Sequence, residues 1–357
     1  EMSLNKILSL VASIIKSTIL FLFIFFHSNI SSEETTQYNP DDQGVLSIMY
    51  HRFEENKYPS TNIRMSVFLD HIKAIKNNGF EFYDLKLFDE QFNKPKDSKK
   101  ILLTIDDAFL SFYEKAWPIL KKNKIPFILF VSTEPIGKRG YMTWEQIKEI
   151  EKENFAFIGN HSHTHEYLIN FPFDDFKNDI NKSIEIFETN LGYNPIFFSY
   201  PFGEYSLEQK NFIKQNFKYA FGQHSGVIDS TKDKYELPRF PINENYGKME
   251  RFSSIIKYLP LQYKNFKPED KYVLVKNNPP SVEIEFFDNQ KNIKNINCFS
   301  NEGDNWGNPN ISVNENNVMK ISFREKFTFR RGRLNCSLNE NGKWKWFGHQ
   351  FTVQIPK

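Results

Sequence analysis

The chain has 357 residues, 39% hydrophobic and 25% charged, a globular balance that excludes a disordered chain and a multi-span membrane protein. That length leaves room for one large domain and a smaller one. The 46 Lys and Arg stand against 44 Asp and Glu, a net charge of +2, too even for a dedicated nucleic-acid binder, so no nucleic-acid partner is expected.

Lys6 and Lys16 precede an unbroken apolar run from Ile19 to Phe26, followed by the polar His27, Ser28 and Asn29. This is the order of an export signal. Residues 1–32 therefore read as a signal peptide, or as a membrane anchor if the apolar helix extends back past Lys16. Either reading places the protein outside the cytoplasm, periplasmic or extracellular. In that oxidising space the only two cysteines, Cys298 and Cys336, are expected to form a disulfide. Two buried free thiols are the alternative, because nothing in the sequence fixes their separation.

From residue 43 to about 262, short apolar runs alternate with helical patterns. Val45 to Tyr50 reads as a strand, Ser66 to Asn78 as an amphipathic helix closed by Gly79, and Phe80 to Leu85 as another strand. Lys100 to Ile105 is continuously apolar and β-favouring, as a strand buried on both faces would be. A helix over Leu110 to Asn123, a strand opened by Pro126, and a helix Trp144 to Glu153 capped by Thr143 follow. Then come a strand Phe155 to Gly159, a helix Asp174 to Asn190, a strand Ile196 to Tyr200, a helix from Ser206 and a strand near Tyr219. Such alternation implies an α/β fold with a parallel sheet or barrel, whose chemistry gathers where strands end in loops. Over residues 268–357 the pattern becomes alternating β segments, Tyr272 to Val275, Val282 to Phe287, Val318 to Phe323, Lys326 to Arg330 and Gln350 to Ile355. A small all-β sandwich is expected there, with Trp306, Trp344 and Trp346 packing its core, the other reading being exposed ring faces that stack on a glycan.

The strand at Lys100 runs straight into Asp106 and Asp107, whose side chains diverge on extended backbone and can serve different tasks. A turn that favours Asp is the ordinary reading of that pair alone. His161, His163 and His165, three of only eight histidines, lie in five residues directly after another strand. Neutral imidazoles with a carboxylate suit a borderline divalent ion such as zinc, which explains the triplet better than a solvated loop does. Ser162 lacks a Gly-x-Ser-x-Gly elbow, so a serine hydrolase is rejected.

Thr104-Ile105-Asp106-Asp107 resembles the Thr-Phe-Asp-Asp motif of polysaccharide deacetylases, the NodB-type carbohydrate esterases of family four. His161-Ser162-His163-Thr164-His165 is similar to their His-Ser/Thr-x-x-His motif, and Tyr200-Pro201-Phe202-Gly203 to their Arg-Pro-Tyr-Gly loop. Met49-Tyr50-His51-Arg52 resembles the branch with poly-N-acetylglucosamine deacetylases. The resemblance implies a distorted (β/α) barrel of NodB type, carried by residues 43–262, followed by the β-sandwich. It implies a metal held by Asp107, His161 and His165, most readily zinc, with cobalt, nickel or iron as other fillers. His163 points away from its neighbours on extended backbone and is not among the ligands. Asp106 is implied as general base, His51 as the acid for the leaving amine, and the Phe202 backbone N–H as oxyanion donor. Tyr200, Pro201 and Phe202 would border the substrate. Tyr200 stands where the family has Arg, so the charge that orients the base must come from elsewhere. Arg239 is the candidate. No late Leu-x-x-His motif is present, and His224, after a predicted strand, is the rival acid.

The implied activity is hydrolysis of acetyl groups from an N-acetylated glycan. The alternatives are an O-acetyl esterase or small-amide amidase on the same fold, and a catalytically silent glycan-binding protein. Phe329-Arg330-Arg331-Gly332-Arg333 reads as a solvated basic turn, with an anionic polymer as its other partner, and no feature specifies an oligomer.

Overall fold

The computed structural model describes residues 41–303 and 305–354. The export signal or anchor expected over residues 1–32 lies outside them. Among the described residues no helix is long and apolar enough to cross a membrane.

An eight-stranded sheet forms the first half. Its strands in chain order are β1 (Val45–Tyr50), β2 (Glu81–Phe82), β3 (Lys100–Asp106), β4 (Phe127–Val131), β5 (Ala156–Asn160), β6 (Phe197–Ser199), β7 (Tyr219–Phe221) and β8 (Phe240–Pro241). The spatial order is β8-β1-β3-β4-β5-β6-β7, with β2 paired to β3, and every strand pair is parallel. It curls into a half-barrel, the distorted (β/α) barrel expected. Helices α1 (Met65–Asn77), α2 (Trp117–Asn123), α3 (Trp144–Glu151), α4 (Phe173–Leu191), α5 (Leu207–Asn216) and α6 (Met249–Ile255) connect or cover the strands.

The two faces of the sheet follow from strand periodicity. Leu46 and Ile48 of β1, Ile101, Leu103 and Ile105 of β3, and Leu129 of β4 join Phe68, Ile72 and Ile75 of α1 and Ile147 and Ile150 of α3 in one core. Their neighbours Val45, Leu102, Ile128, Phe130, Phe197, Tyr219 and Phe221 fill the barrel interior. Each fully buried side chain of this size stabilises the fold by roughly 1.5–3 kcal/mol. The interior parity is the one that Asp106, His161 and Ser199 share.

Local signals act where expected. Thr143 and Ser206 each accept from the backbone N–H three residues on, with Gln146 and Gln209 closing capping boxes. The helix expected over Leu110 to Asn123 instead opens with a wide π-type turn over Phe112–Ala116, and Pro118 takes the first turn of α2, where its missing N–H costs nothing.

The second half contains β9 (Leu259–Pro260), β10 (Asn265–Lys267), β11 (Tyr272–Val273), β12 (Val282–Glu285), β13 (Asn297–Ser300), β14 (Asn310–Val313), β15 (Val318–Ser322), β16 (Arg331–Glu340) and β17 (Lys343–Val353). One sheet runs β9-β17-β16-β13 with β11 on β17, and the other runs β10-β12-β15-β14. Val282, Ile284, Met319 and Ile321 of one sheet share a core with Leu334, Cys336, Leu338, Phe347 and Phe351 of the other, the arrangement of a sandwich. Cys298 and Cys336 lie opposite each other on β13 and β16 and are joined as a disulfide.

Two expectations fail here. Residues Lys326 to Arg330 form no strand, and the long hairpin β16–β17 follows instead. Trp306 and Trp344 are about half exposed and do not pack the sandwich core. Trp346 stacks at 5.1 Å on Tyr258 of the first half.

Candidate active site

Asp106 ends β3 fully buried, with its side chain on the interior face. Arg239, just before β8, meets it in a bidentate pair, Nη1 donating to Oδ1 at 2.6 Å and Nη2 to Oδ2 at 2.9 Å. Arg239 is itself fully buried, and its other donors go to Gly222 O at 2.9 Å, Ser199 Oγ at 2.7 Å and Thr104 Oγ1 at 3.2 Å. The fork is thereby fixed in orientation as well as charge. Burial alone would raise the Asp106 pKa, but Arg239, with His161 and His51 nearby, holds it down at about 2.

The chain then turns sharply. Asp107 and Ala108 both take positive φ, 75° and 52°, a conformation Asp tolerates better than most residues. This swings the Asp107 carboxylate to where β5 ends. His161 follows β5 and donates from Nδ1 to Ser199 O at 2.7 Å, which fixes the tautomer and points the Nε2 lone pair at Asp107 Oδ1, 3.5 Å away. The His165 Nε2 lies 3.2 Å from the same oxygen. Burial pushes the His161 pKa down to about 4, against the pull of Asp106, so its ring is neutral at physiological pH.

His161 Nε2 and Asp107 Oδ1 are buried and have no hydrogen-bond partner. Two facing acceptors with no proton between them repel, a repulsion that a cation between them would relieve. One ligand atom each from Asp107, His161 and His165 lies within 4.8 Å of the others. Two imidazoles and a carboxylate fit the donor set of a catalytic divalent site.

The loop that carries the histidines is shaped from α4. Buried Asp179 accepts from the backbone N–H groups of His163 and Thr164 at 2.9 and 3.1 Å, while Ser162 and His165 take positive φ. His163 bonds to Thr133 Oγ1 at 2.8 Å and takes no part in the cluster. His51, one residue beyond β1, is within electrostatic reach of Asp106, and its buried Nδ1 is unpartnered. The Phe202 ring packs 4.8 Å from that of His165 and stacks at 4.2 Å on Tyr167.

Tyr200 is a correction. It is fully buried, stacked at 4.3 Å on Tyr205 with its hydroxyl donating to Tyr235 O, so it cannot border a substrate. Strand parity is the cause: Ser199 faces the barrel interior, and Tyr200, one residue on, faces the cluster beneath α4 and α5. Pro201 is buried in the same turn. The contacts of His224 likewise lie elsewhere, parallel to His349 at 5.8 Å and beside Glu236, rather than with the Asp107 cluster. Sequence reasoning missed Ser199, Thr104 and Asp179. Ser199 and Thr104 carried a signal, since both share the interior parity on strands that end at the site.

Residues 93–219 match the family model described as polysaccharide deacetylase. Those residues, which run from β3 through α5, resemble a polysaccharide deacetylase domain. It is 24% identical over 233 residues to the poly-beta-1,6-N-acetyl-D-glucosamine N-deacetylase of Staphylococcus aureus, over 57% of this chain and 80% of that one. IcaB from Ammonifex degensii superposes with a TM-score of 0.55 at 22% identity, covering 60% of this chain and 97% of that one. Streptococcus pyogenes deacetylase PplD in complex with acetate gives 0.54 at 21%, covering 60% and 99%. These likenesses show the fold. Arg239 and His51 lie outside the residues matched to the deacetylase family model.

Proposed function

We propose that the chain is a metal-dependent hydrolase that removes acetyl groups from an N-acetylated polysaccharide, giving free amine and acetate, with residues 43–262 as its catalytic unit. The observation that carries this reading is the adjacency of two carboxylates in opposite circumstances. Asp106 is locked to Arg239 at 2.6 and 2.9 Å, while Asp107 Oδ1 is buried, unpartnered and faces two imidazoles. The domain match and the substrate named for the Staphylococcus aureus relative support the same reaction class.

Asp107, His161 and His165 would hold a divalent ion, which when bound would supply Lewis-acid polarisation of the acetyl carbonyl and acidify water at neutral pH. Zinc suits the donor set best, and cobalt, nickel and iron share it. Asp106 accepts the proton of the attacking water. Its low pKa keeps it ionised at every working pH, and the Arg239 clamp keeps its carboxylate from swinging away. His51 delivers a proton to the departing amine, which leaves poorly without one. The Phe202 N–H, in a turn held beside His165, donates to the developing oxyanion. The Tyr167 ring is held between Phe202, stacked at 4.2 Å, and the Arg330 guanidinium, 4.1 Å from its centroid, which steadies the Phe202 turn. The Cys298–Cys336 disulfide supports an oxidising compartment, as export requires.

Acetate release from N-acetylglucosamine oligomers, measured against acetylated xylan with and without chelator, separates the amide reaction from ester hydrolysis. Asp106→Asn is expected to lose at least about 10³-fold in kcat while retaining one equivalent of metal, as removal of a general base does. Full turnover in that variant would reject the assignment.

A further inference from the structure

Arg333, from the basic run after residue 328, and the exposed Trp306 are not used by the deacetylase centre, and they meet at one place. Alternation along β16 puts Gly332, Leu334 and Cys336 into the sandwich, so Arg331, Arg333 and Asn335 face the catalytic body. Arg331 pairs with Glu204 at 2.9 Å, and Arg330 shares that carboxylate. Arg333 lies two residues further along, in a cavity of about 520 Å³ between the two halves, within the roughly 300–1,000 Å³ of small-ligand sites. None of Asp106, Asp107, His161 or His165 lines it.

The walls combine two chemistries. Tyr258 and Trp346 form a stacked pair tilted by 12°, and the Trp346 Nε1–H is fixed to Ser225 Oγ at 2.9 Å, so the platform is rigid. Trp306 and Tyr246 also line the cavity, 52% and 47% exposed, with the Arg251 guanidinium 5.1 Å from the Tyr246 ring centroid. Lys248, Arg251 and Arg333 line it against one acid, Glu250. Among the described residues the Arg333 guanidinium has no hydrogen bond and no ion pair, although the side chain is half-buried. A partly desolvated cation without a counter-charge is costly, and a bound anion relieves it.

We infer that this cavity is a second, non-catalytic site for an anionic sugar unit, whose ring lies against the aromatic walls while its carboxylate or phosphate pairs with Arg333 and Arg251. Aromatic faces alone would accept neutral sugars, and arginines alone would accept any small anion. Rigid rings and a guanidinium with no counter-charge among the described residues, in one pocket, select a ligand that has both. The inference does not depend on deacetylation, since it concerns binding at residues outside the centre.

The test is calorimetric titration of the metal-loaded protein with glucuronate, glucose 6-phosphate, glucose and inorganic phosphate. At least one acidic sugar is expected to bind ten times or more tightly than both glucose and phosphate. A preference for glucuronate assigns a carboxylate ligand, and the reverse a phosphate. Arg333→Gln and the half-exposed Trp306→Ala should each weaken that binding at least tenfold with metal stoichiometry unchanged. Because Trp306 is not a core residue, its variant remains decisive if Arg333→Gln folds poorly. Equal binding of glucose, equal binding of inorganic phosphate, binding of none of the four, or unchanged affinity in Trp306→Ala would overturn the proposal.

Discussion

Arg239 shows how much of the site depends on one side chain far along the sequence from the strand it serves. Its five donors are committed to Asp106, Ser199, Thr104 and Gly222, and both partners of the ion pair are fully buried. Breaking such a pair leaves a bare carboxylate in a low-dielectric interior, which costs about 3–5 kcal/mol. Arg239→Met is therefore expected to lower stability by about that amount in urea denaturation. The Asp106 pKa should rise, since burial then acts without its main opponent. A carboxylate is active only above its pKa, so the acid limb of the pH profile of kcat/KM should move to higher pH. A variant with parental stability and an unmoved acid limb would show that the clamp is dispensable. Arg239 was legible as a candidate only because Tyr200 left the family's usual position without a charge. Its contact with Asp106 is a tertiary fact that no local pattern encodes.

At the scale of elements, the strands that carry the motifs were readable and the β hairpin was not. β1 and β3 are mostly apolar runs, buried along their length except at Lys100, and their ends lie within a residue of expectation. Only the end of the hairpin β16–β17 from Gln350 onward was expected, because Arg331 and Arg333 read as solvated polar sequence while in the fold their face lies against the catalytic body. Asn341-Gly342, both at positive φ, was the available signal for a tight hairpin turn. Glycine also decides the geometry of β5. A Cβ on Gly159 would lie 2.4 Å from the Phe130 ring, and that ring packs under Arg239 at 5.3 Å and beside His161. Gly159→Ala should therefore push β5 away from β4 and carry His161 out of reach of Asp107. The expected outcome is at least a tenfold loss of zinc affinity in a competitive chelator titration, with the fold retained by circular dichroism. Unchanged affinity would mean that Phe130 can move without moving the ligand.

For the whole molecule, the placement of histidine sets the response to acid. His71, His224 and His349 are buried and none is a metal ligand. Burial pushes His71 and His224 down to about 4 and His349 well below its ordinary value. His71 lies between Tyr50 and Gly247 O, stacked at 3.7 Å on Phe252 of α6. His224 and His349 are parallel across the junction of the two halves, each influenced by Glu236 and Lys271. In the unfolded chain all three take up a proton near pH 6.5, and in the folded protein they do not until about pH 4 or below. Between those limits the unfolded state binds more protons, so stability rises with pH and is lost as pH falls. Each such histidine contributes about 1.4 kcal/mol per pH unit in that window. Three acting together would remove several kcal/mol by pH 5, a large share of the roughly 5–15 kcal/mol that holds a domain folded. Asp106 and Glu236, whose pKa values are depressed, add their loss only at lower pH. Urea midpoints measured on chelated protein should therefore fall steeply from pH 7 to pH 5, before the carboxylates titrate. His71→Gln should flatten part of that slope by removing one proton from the difference. A midpoint constant from pH 7 to pH 5 would mean that the histidines are protonated inside the fold and that the junction between the halves opens to water.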